Sequence, residues 1–304
     1  MKQTITIATR ESALAMWQTE YVAAIIEAKT NFKTKILAMT TEGDQRLEVS
    51  LNKIGGKGLF LKELEQSMLV GEADIAVHSM KDVPADLPEA FQICAVFPRA
   101  DESDAFVSNH YNKLAELPKN AVVGTSSLRR QSQLLSLRPD LDIRPLRGNV
   151  NSRLQKLDDG HYDAIILASA GLIRLGFDTR IKSRLTAPEW LPAVSQGAVG
   201  IECLKNNKEL AEALTNLTDH ATWQCIQAER ALNLKLNGSC SVAIGALASY
   251  HLDDTIALRA AVFSPDGTQS VSAHQQGYDP NQLGEYVANE LLDQGAAAIL
   301  ALAD

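Results

Sequence analysis

Through the first two-thirds of the chain, short β-branched runs alternate with segments whose apolar residues recur at helical spacing. Thr4 to Ala8 reads as a strand, and Leu14, Trp17, Tyr21 and Ile25 then fall on one helical face. The same pattern predicts strands at Lys35 to Met39, Asp74 to Val77, Phe91 to Phe97, Ala121 to Gly124, Asp142 to Leu146 and Asp163 to Ala168, with helices starting near Leu59, Ser126 and Val150. Strands that alternate with helices build mostly parallel sheets covered on both faces, so the fold class is α/β. With 304 residues, the chain exceeds what one core usually organises, and more than one domain is expected.

Polar breaks mark the crossings. Pro98 to Glu102 follows a strand, and Ala187, Pro188 and Pro192 precede Gln196-Gly197, so a second α/β domain is entered and left there. From about His220 the grammar changes to a long helix ending near Leu236, strands at Val242 to Ser249, Ile256 to Phe263 and Gln269 to His274, and a closing helix from Gln282 to Ala301. That is a separate α+β domain. Thr41 to Gly58 is polar, glycine-rich and long for a connection, which predicts a mobile functional loop.

A formal net charge of −8 disfavours nucleic acid and anionic membranes as partners unless a local basic patch overrides it. The N-terminal segment lacks the apolar run of a secretory signal, and no stretch approaches the ~18 apolar residues of a membrane span, so a cytoplasmic protein is expected. Four dispersed cysteines with no CxxC pair argue against zinc, and no metal is expected. Cys94, Cys203 and Cys225 sit in apolar segments and read as buried. Cys240 lies in the polar turn Gly238-Ser239-Cys240-Ser241, where tethering and nucleophilic catalysis are equally good readings.

One basic patch does exist. Arg129, Arg130, Arg138, Arg144, Arg147 and Arg153 fall in a window of 25 residues that contains two aspartates and no lysine, a local net charge of +4. A charge run is usually a solvated face, but Gly124-Thr125-Ser126-Ser127 follows a strand and opens a helix, and Arg147-Gly148-Asn149 ends the next strand. Ligands in open α/β sheets bind at such carboxyl ends, and arginine suits bidentate capture of carboxylates or phosphates. His78-Ser79-Met80-Lys81-Asp82-Val83-Pro84 is a second polar strand end, where four polar side chains are hard to explain by packing and Asp82 could act as charge stabiliser or acid/base group; strand termination and capping is the alternative. Gly55-Gly56-Lys57-Gly58 lacks the spacing of a P-loop and argues for flexibility more than for nucleotide binding.

Ala8 to Ser12, Gly55 to Phe60, His78 to Pro84, Gly124 to Gln131, Leu146 to Val150 and Gln196 to Ala198, taken in order and with a loop cysteine at 240, strongly resemble the porphobilinogen deaminase (hydroxymethylbilane synthase) family across nearly the whole chain. The resemblance implies two domains like those of type II periplasmic binding proteins around a hinged cleft, plus a smaller α+β domain: 1–97 with 198–216, 101–193, and 220–304. It implies a dipyrromethane cofactor on Cys240, four porphobilinogens condensed head to tail with loss of ammonia, and release of hydroxymethylbilane by hydrolysis. The substrate carries two carboxylates, which an arginine-lined cleft suits, and the positive charge that develops as its amine departs calls for an anion, for which Asp82 is the match.

Residue by residue, the resemblance assigns cofactor or chain contacts to Ser79, Lys81, Asp82, Thr125, Ser127, Arg129, Arg130, Arg147 and Arg153, and incoming-substrate contacts to Arg10, Ser12, Phe60, Arg174 and Gln196. Lys53 and Lys57 either meet acidic groups or keep their loop soluble. The chain departs from the family pattern at Ser239 and Ser195, where glycine is usual, and at Ala243, where proline is usual. Nothing in the sequence demands an oligomer. A non-catalytic solute-binding module of the same fold, or a phosphate-metabolite enzyme using the glycine-rich loop, would leave Asp82 and Cys240 or the third domain without a purpose.

Overall fold

The computed structural model describes residues 3–41, 61–238 and 242–303. In chain order its elements are β1 (Thr4–Arg10), α1 (Ala13–Lys29), β2 (Lys33–Met39), α2 (Lys62–Leu69), β3 (Ile75–Ser79), β4 (Phe91–Val96), β5 (Asp104–Val107) and β6 (Val122–Gly124). There follow α3 (Leu128–Leu137), β7 (Asp142–Arg144), α4 (Val150–Asp158), β8 (Ala164–Ala168), α5 (Ser169–Arg174), β9 (Ser183–Leu185), β10 (Val199–Leu204) and α6 (Lys208–Thr215). The chain ends with α7 (His220–Lys235), β11 (Ile244–Tyr250), β12 (Ile256–Phe263), β13 (Ser270–Gly277), α8 (Pro280–Asp293) and α9 (Ala296–Leu300). The expected loop at Thr41 to Gly58 lies, beyond Thr41, outside the described residues.

The chain divides into two compact units, Met1–Ala100 with Gly197–Trp223, and Asp101–Gln196 with Gln224–Asp304. The first holds a five-stranded sheet of order β2-β1-β3-β10-β4. β1 runs parallel to β2 and β3, whereas β10 is antiparallel to both its neighbours, with Val199 opposite Ser79. Both faces are covered: Ile5, Ile7 and Ile75 pack with Val22 and Ile26 of α1 on one side, and Ala8 and Ala76 pack with Leu64 and Met68 of α2 on the other. Double-sided burial explains the near-continuous apolar strands of this sheet.

The second unit repeats the design in the order β7-β6-β8-β5-β9. β6 is parallel to β7 and β8, and β5 is antiparallel to β8 and β9. Its other part is a three-stranded antiparallel sheet, β11-β12-β13, whose core joins Ala246, Leu258 and Val262 to Leu232 of α7, Val287 and Leu291 of α8 and Ile299 of α9. The two parts of this unit meet closely. A Cβ on Gly267 would lie 2.5 Å from backbone atoms of Ser132 and Ser136 in α3, so only glycine, here at φ +72°, fits that approach.

The expected α/β class with a smaller C-terminal sheet domain is present, and most strands fall within two residues of expectation. Three differences have local causes. The single closing helix is two, because Gly295 at φ 98° ends α8 in a left-handed turn. β5 and β9 were not expected: they are four and three residues long, too short for a periodicity to show. β7 stops at Arg144 because Pro145 has no N–H for the ladder.

Ser195 illustrates a departure that the backbone explains. Its φ is +61°, in the left-handed region where glycine is at ease, it is fully buried, and its hydroxyl has no hydrogen-bond partner. Ser195→Gly removes both the strain and the orphaned hydroxyl. It should raise the free energy of unfolding by about 1 kcal/mol in urea titration.

Candidate active site

In the first unit, the parallel pairing of β1 with β3 brings their carboxyl ends to the same sheet edge, so Arg10 and Ser12 lie on the edge that Ser79 to Asp82 follows. After β3 the chain makes one 3-10 turn, Met80–Asp82, pinned by two backbone bonds: Met80 N–H donates to the Ala198 carbonyl at 3.0 Å and Val83 N–H to Met80 at 3.3 Å. Met80 is buried against Gly200 of β10, where a Cβ would meet its Sδ at 2.3 Å. The turn therefore has a buried anchor and an exposed tip, and that tip is Asp82, with Lys81 half-buried beside it.

Neighbouring polar groups brace this edge. His78 Nε2 and Glu202 Oε2 are 2.8 Å apart in the buried sheet. The Ser79 hydroxyl exchanges hydrogen bonds with the Gln18 amide of α1, at 2.8 and 3.2 Å. Ser12 caps α1, accepting from Ala15 N–H at 3.3 Å. Ser79 and Ser12 thus have structural partners, which their motifs alone did not reveal.

In the second unit, Thr125 to Ser127 follows β6 and leads into α3. Thr125 N–H donates to the Arg144 carbonyl and its Oγ1 accepts from Ser127 N–H. Ser126 staples this segment to the next one, donating its hydroxyl to the Leu146 carbonyl and accepting from Leu146 N–H, both at 3.0 Å. Gly148 has φ 115° and no room for a Cβ beside the Ser152 hydroxyl, and Asn149 caps α4. Thr125, Ser127, Arg147 and Arg153 are gathered here by their strand ends. Arg153 Nε donates to the Gly148 carbonyl at 2.7 Å, and Arg174 lies in the last turn of α5.

Arg129 and Arg130 are placed otherwise than their motif suggests. They are 4% and 6% exposed, and both converge on Asp104 of β5, which is fully buried. Arg130 Nη2 reaches Asp104 Oδ1 at 2.7 Å and Arg129 Nη1 reaches Oδ2 at 2.8 Å. Gln196 Nε2 donates to Oδ1 at 2.9 Å and Trp190 Nε1 to Oδ2 at 2.8 Å, so the carboxylate accepts four hydrogen bonds. Burial opposes ionisation of Asp104, but the two guanidinium groups outweigh it and hold the carboxyl far below the usual carboxylate range. Burial also pulls Arg129 below its ordinary value, against the pull of Asp104.

The local charge count changes with this geometry. Arg138 pairs with Asp140 at 2.7 Å and also donates to the Leu114 and Leu117 carbonyls, and Arg144 pairs with Asp142 at 2.6 Å. Arg138 is a structural clamp and not a solvated charge. The window's net +4 rests on Arg129, Arg130, Arg147 and Arg153, and Asp104 offsets one of these. The sequence alone assigns no role to Asp104 or Trp190, and the Ser126 hydroxyl, part of the expected anion-facing motif, is engaged with Leu146. A lone acid in the apolar run Asp104-Ala-Phe-Val was the available signal, obscured by the acidic residues Asp101 and Glu102 just before it. Phe60 and Cys240 lie outside the described residues.

Each α/β sheet has polar strand ends, the first with an exposed carboxylate and the second with arginines, and such strand ends are where open α/β sheets of enzymes and binding proteins hold small-molecule ligands. Residues 5–212 match porphobilinogen deaminase, dipyromethane cofactor binding domain, and residues 223–293 match porphobilinogen deaminase, C-terminal domain. The chain belongs to the porphobilinogen deaminase family. It is 52% identical over 300 residues to porphobilinogen deaminase of Thiobacillus denitrificans, covering 98% of each chain, and 52% identical over 301 residues to that of Stenotrophomonas maltophilia, covering 98% of this chain and 99% of the other. Among solved structures, the methionine-binding protein MetQ is similar with a TM-score of 0.46 at 11% identity, covering 73% of this chain and 90% of its own.

The Asp104 geometry alters what an arginine substitution reports. Arg130→Leu leaves Asp104 buried with one guanidinium, so it should lower the free energy of unfolding by about 3 to 5 kcal/mol. Arg147→Leu, half-buried at a strand end, should cost less than about 1 kcal/mol. Urea titration of both variants checks the difference.

Proposed function

We propose that this chain performs the porphobilinogen deaminase reaction with Asp82 as its catalytic carboxylate and the arginines beside β6 and α4 as the holders of the chain's carboxylates. As a member of its family it is a transferase of tetrapyrrole biosynthesis: four porphobilinogens are condensed head to tail, each losing ammonia, and hydroxymethylbilane is released. The observation that carries the assignment is the position of Asp82, an exposed carboxylate on a turn whose base is buried and pinned.

Loss of ammonia needs a proton for the departing amine and an anion for the positive charge left on the substrate's pyrrole. A carboxylate held at a fixed point near the ring N–H stabilises that charge more than the neutral ground state, which is what lowers the barrier. The anchoring of Met80 under Gly200 supports such a fixed point. Lys81 adds a positive charge next to the anion, suited to a substrate carboxylate.

The dipyrromethane cofactor, when bound, supplies the primer onto which the chain is extended. The residues suit a group bearing several carboxylates: Arg129 and Arg130 are buried with one Nε each lacking a partner, and a carboxylate satisfies such donors. Ser79, Lys81, Asp82, Thr125, Ser127, Arg129, Arg130, Arg147 and Arg153 would hold it, with Cys240 as the point of attachment. Arg10, Ser12, Phe60, Arg174 and Gln196 are assigned to the incoming substrate. The chain is read as three domains, 1–97 with 198–216, 101–193 and 220–304, working as a cytoplasmic monomer without nucleic acid or membrane partners. Among the described residues no helix is long and apolar enough to cross a membrane.

Two experiments test this reading. Asp82→Asn keeps size and removes charge, so turnover should fall by orders of magnitude in folded, cofactor-bearing protein, while Asp82→Glu keeps a small measurable rate; a near-wild-type rate for Asp82→Asn would contradict the role. Cys240→Ala should abolish the covalent adduct in intact-protein mass spectrometry, and an adduct that persists, or maps to Cys94, Cys203 or Cys225, would contradict the attachment site.

A further inference from the structure

Consecutive residues on a helix project about 100° apart, since a turn takes 3.6 residues. Arg129 and Arg130 are consecutive in the first turn of α3, yet their guanidiniums close on one carboxylate, that of Asp104. Each also donates to a backbone carbonyl, Arg129 to Leu191 at 2.6 Å and Arg130 to Ile166 at 3.0 Å. Trp190 and Gln196 take the remaining acceptor sites of Asp104, so the carboxylate joins β5, the start of α3 and the 190–196 segment in one buried cluster. Within it stand two cations and one anion, and the Nε of each guanidinium is buried without a hydrogen-bond partner. A buried group with surplus charge and unused donors is costly unless a further anion completes it.

We propose that Asp104 is a positioning residue for carboxylate binding: it orients Arg129 and Arg130 and neutralises one of their two charges, so that the start of α3 presents a single oriented positive charge to an incoming ligand carboxylate. This rests on the reading that the α3 and α4 arginines hold the carboxylates of the cofactor and growing chain, to which each incoming substrate is joined. Asp104 touches no reacting atom and acts through the guanidiniums. The linkage also explains the burial of Gln196, whose amide donates to the Glu102 carbonyl at 2.8 Å as well as to Asp104.

The experiment compares Asp104→Asn, Trp190→Phe, Arg147→Gln, Arg153→Gln and, as a lost ion pair outside the cluster, Asp140→Asn. Each is read for folding by circular dichroism, for adduct formation by intact-protein mass spectrometry after incubation with porphobilinogen, and for KM and kcat separately. Loss of one oriented charged contact corresponds to roughly a tenfold to hundredfold weaker binding. Folded Asp104→Asn should therefore form the adduct slowly and, once loaded, show KM raised about tenfold or more with kcat changed far less. Trp190→Phe removes one of four hydrogen bonds and should raise KM about twofold to fivefold, and it decides the matter if Asp104→Asn does not fold. Asp140→Asn should match wild type. Folded Asp104→Asn or Trp190→Phe with wild-type KM and adduct formation, whatever their melting temperatures, would make Asp104 purely structural and overturn the proposal. Wild-type KM in both Arg147→Gln and Arg153→Gln would instead remove the carboxylate reading on which it stands.

Discussion

Placing an ionised carboxylate and two guanidiniums out of water opposes folding by several kcal/mol per group, and only close, well-directed partners offset it. Asp104 has them in full, with two charged and two neutral donors around its two oxygens. Because the folded-state pKa lies far below the unfolded value of about 3.9, the stabilisation is complete above that value and is lost only as pH falls below it. Across neutral pH the cluster is thus a fixed element, and the helix start, β5 and the segment ending at Gln196 are organised around it. Ser195, held at positive φ with its N–H donated to Glu229 at 2.6 Å, lies within that segment directly before Gln196, so its strain is tolerated by contacts on both sides.

The first unit uses a different device for the same end. Here the polar strand end is positioned by packing: Met80 fills the space that a side chain on residue 200 would take, and the turn it anchors exposes Asp82. The His78–Glu202 pair lies in the same two strands and ties them side chain to side chain. One unit therefore offers an anion on an apolar anchor, and the other offers cations on an ionic one.

Much of this was legible in sequence because the signals are local. The β1-α1-β2 periodicity and the polar strand ends at Ser79 and Thr125 each depend on a few adjacent residues. The role of Asp104 was not legible, because its partners lie at 129, 130, 190 and 196 and nothing in a single sequence pairs them. The matching of Arg138 and Arg144 by Asp140 and Asp142 is local by contrast, two residues apart in each pair, and the window's net +4 already counts both aspartates. Glycine at 200 carries no meaning until Met80 is seen against it.

The central claim is that this protein builds a linear tetrapyrrole on a pyrrole primer that it carries covalently. The most direct measurement is Ehrlich's reagent applied to the purified, desalted and denatured protein, together with the ratio of porphobilinogen consumed to tetrapyrrole released. A covalently carried primer gives a protein-bound colour reaction, and the stoichiometry is four porphobilinogens per product. A protein that gives no bound colour, or that consumes porphobilinogen without releasing a tetrapyrrole, would contradict it.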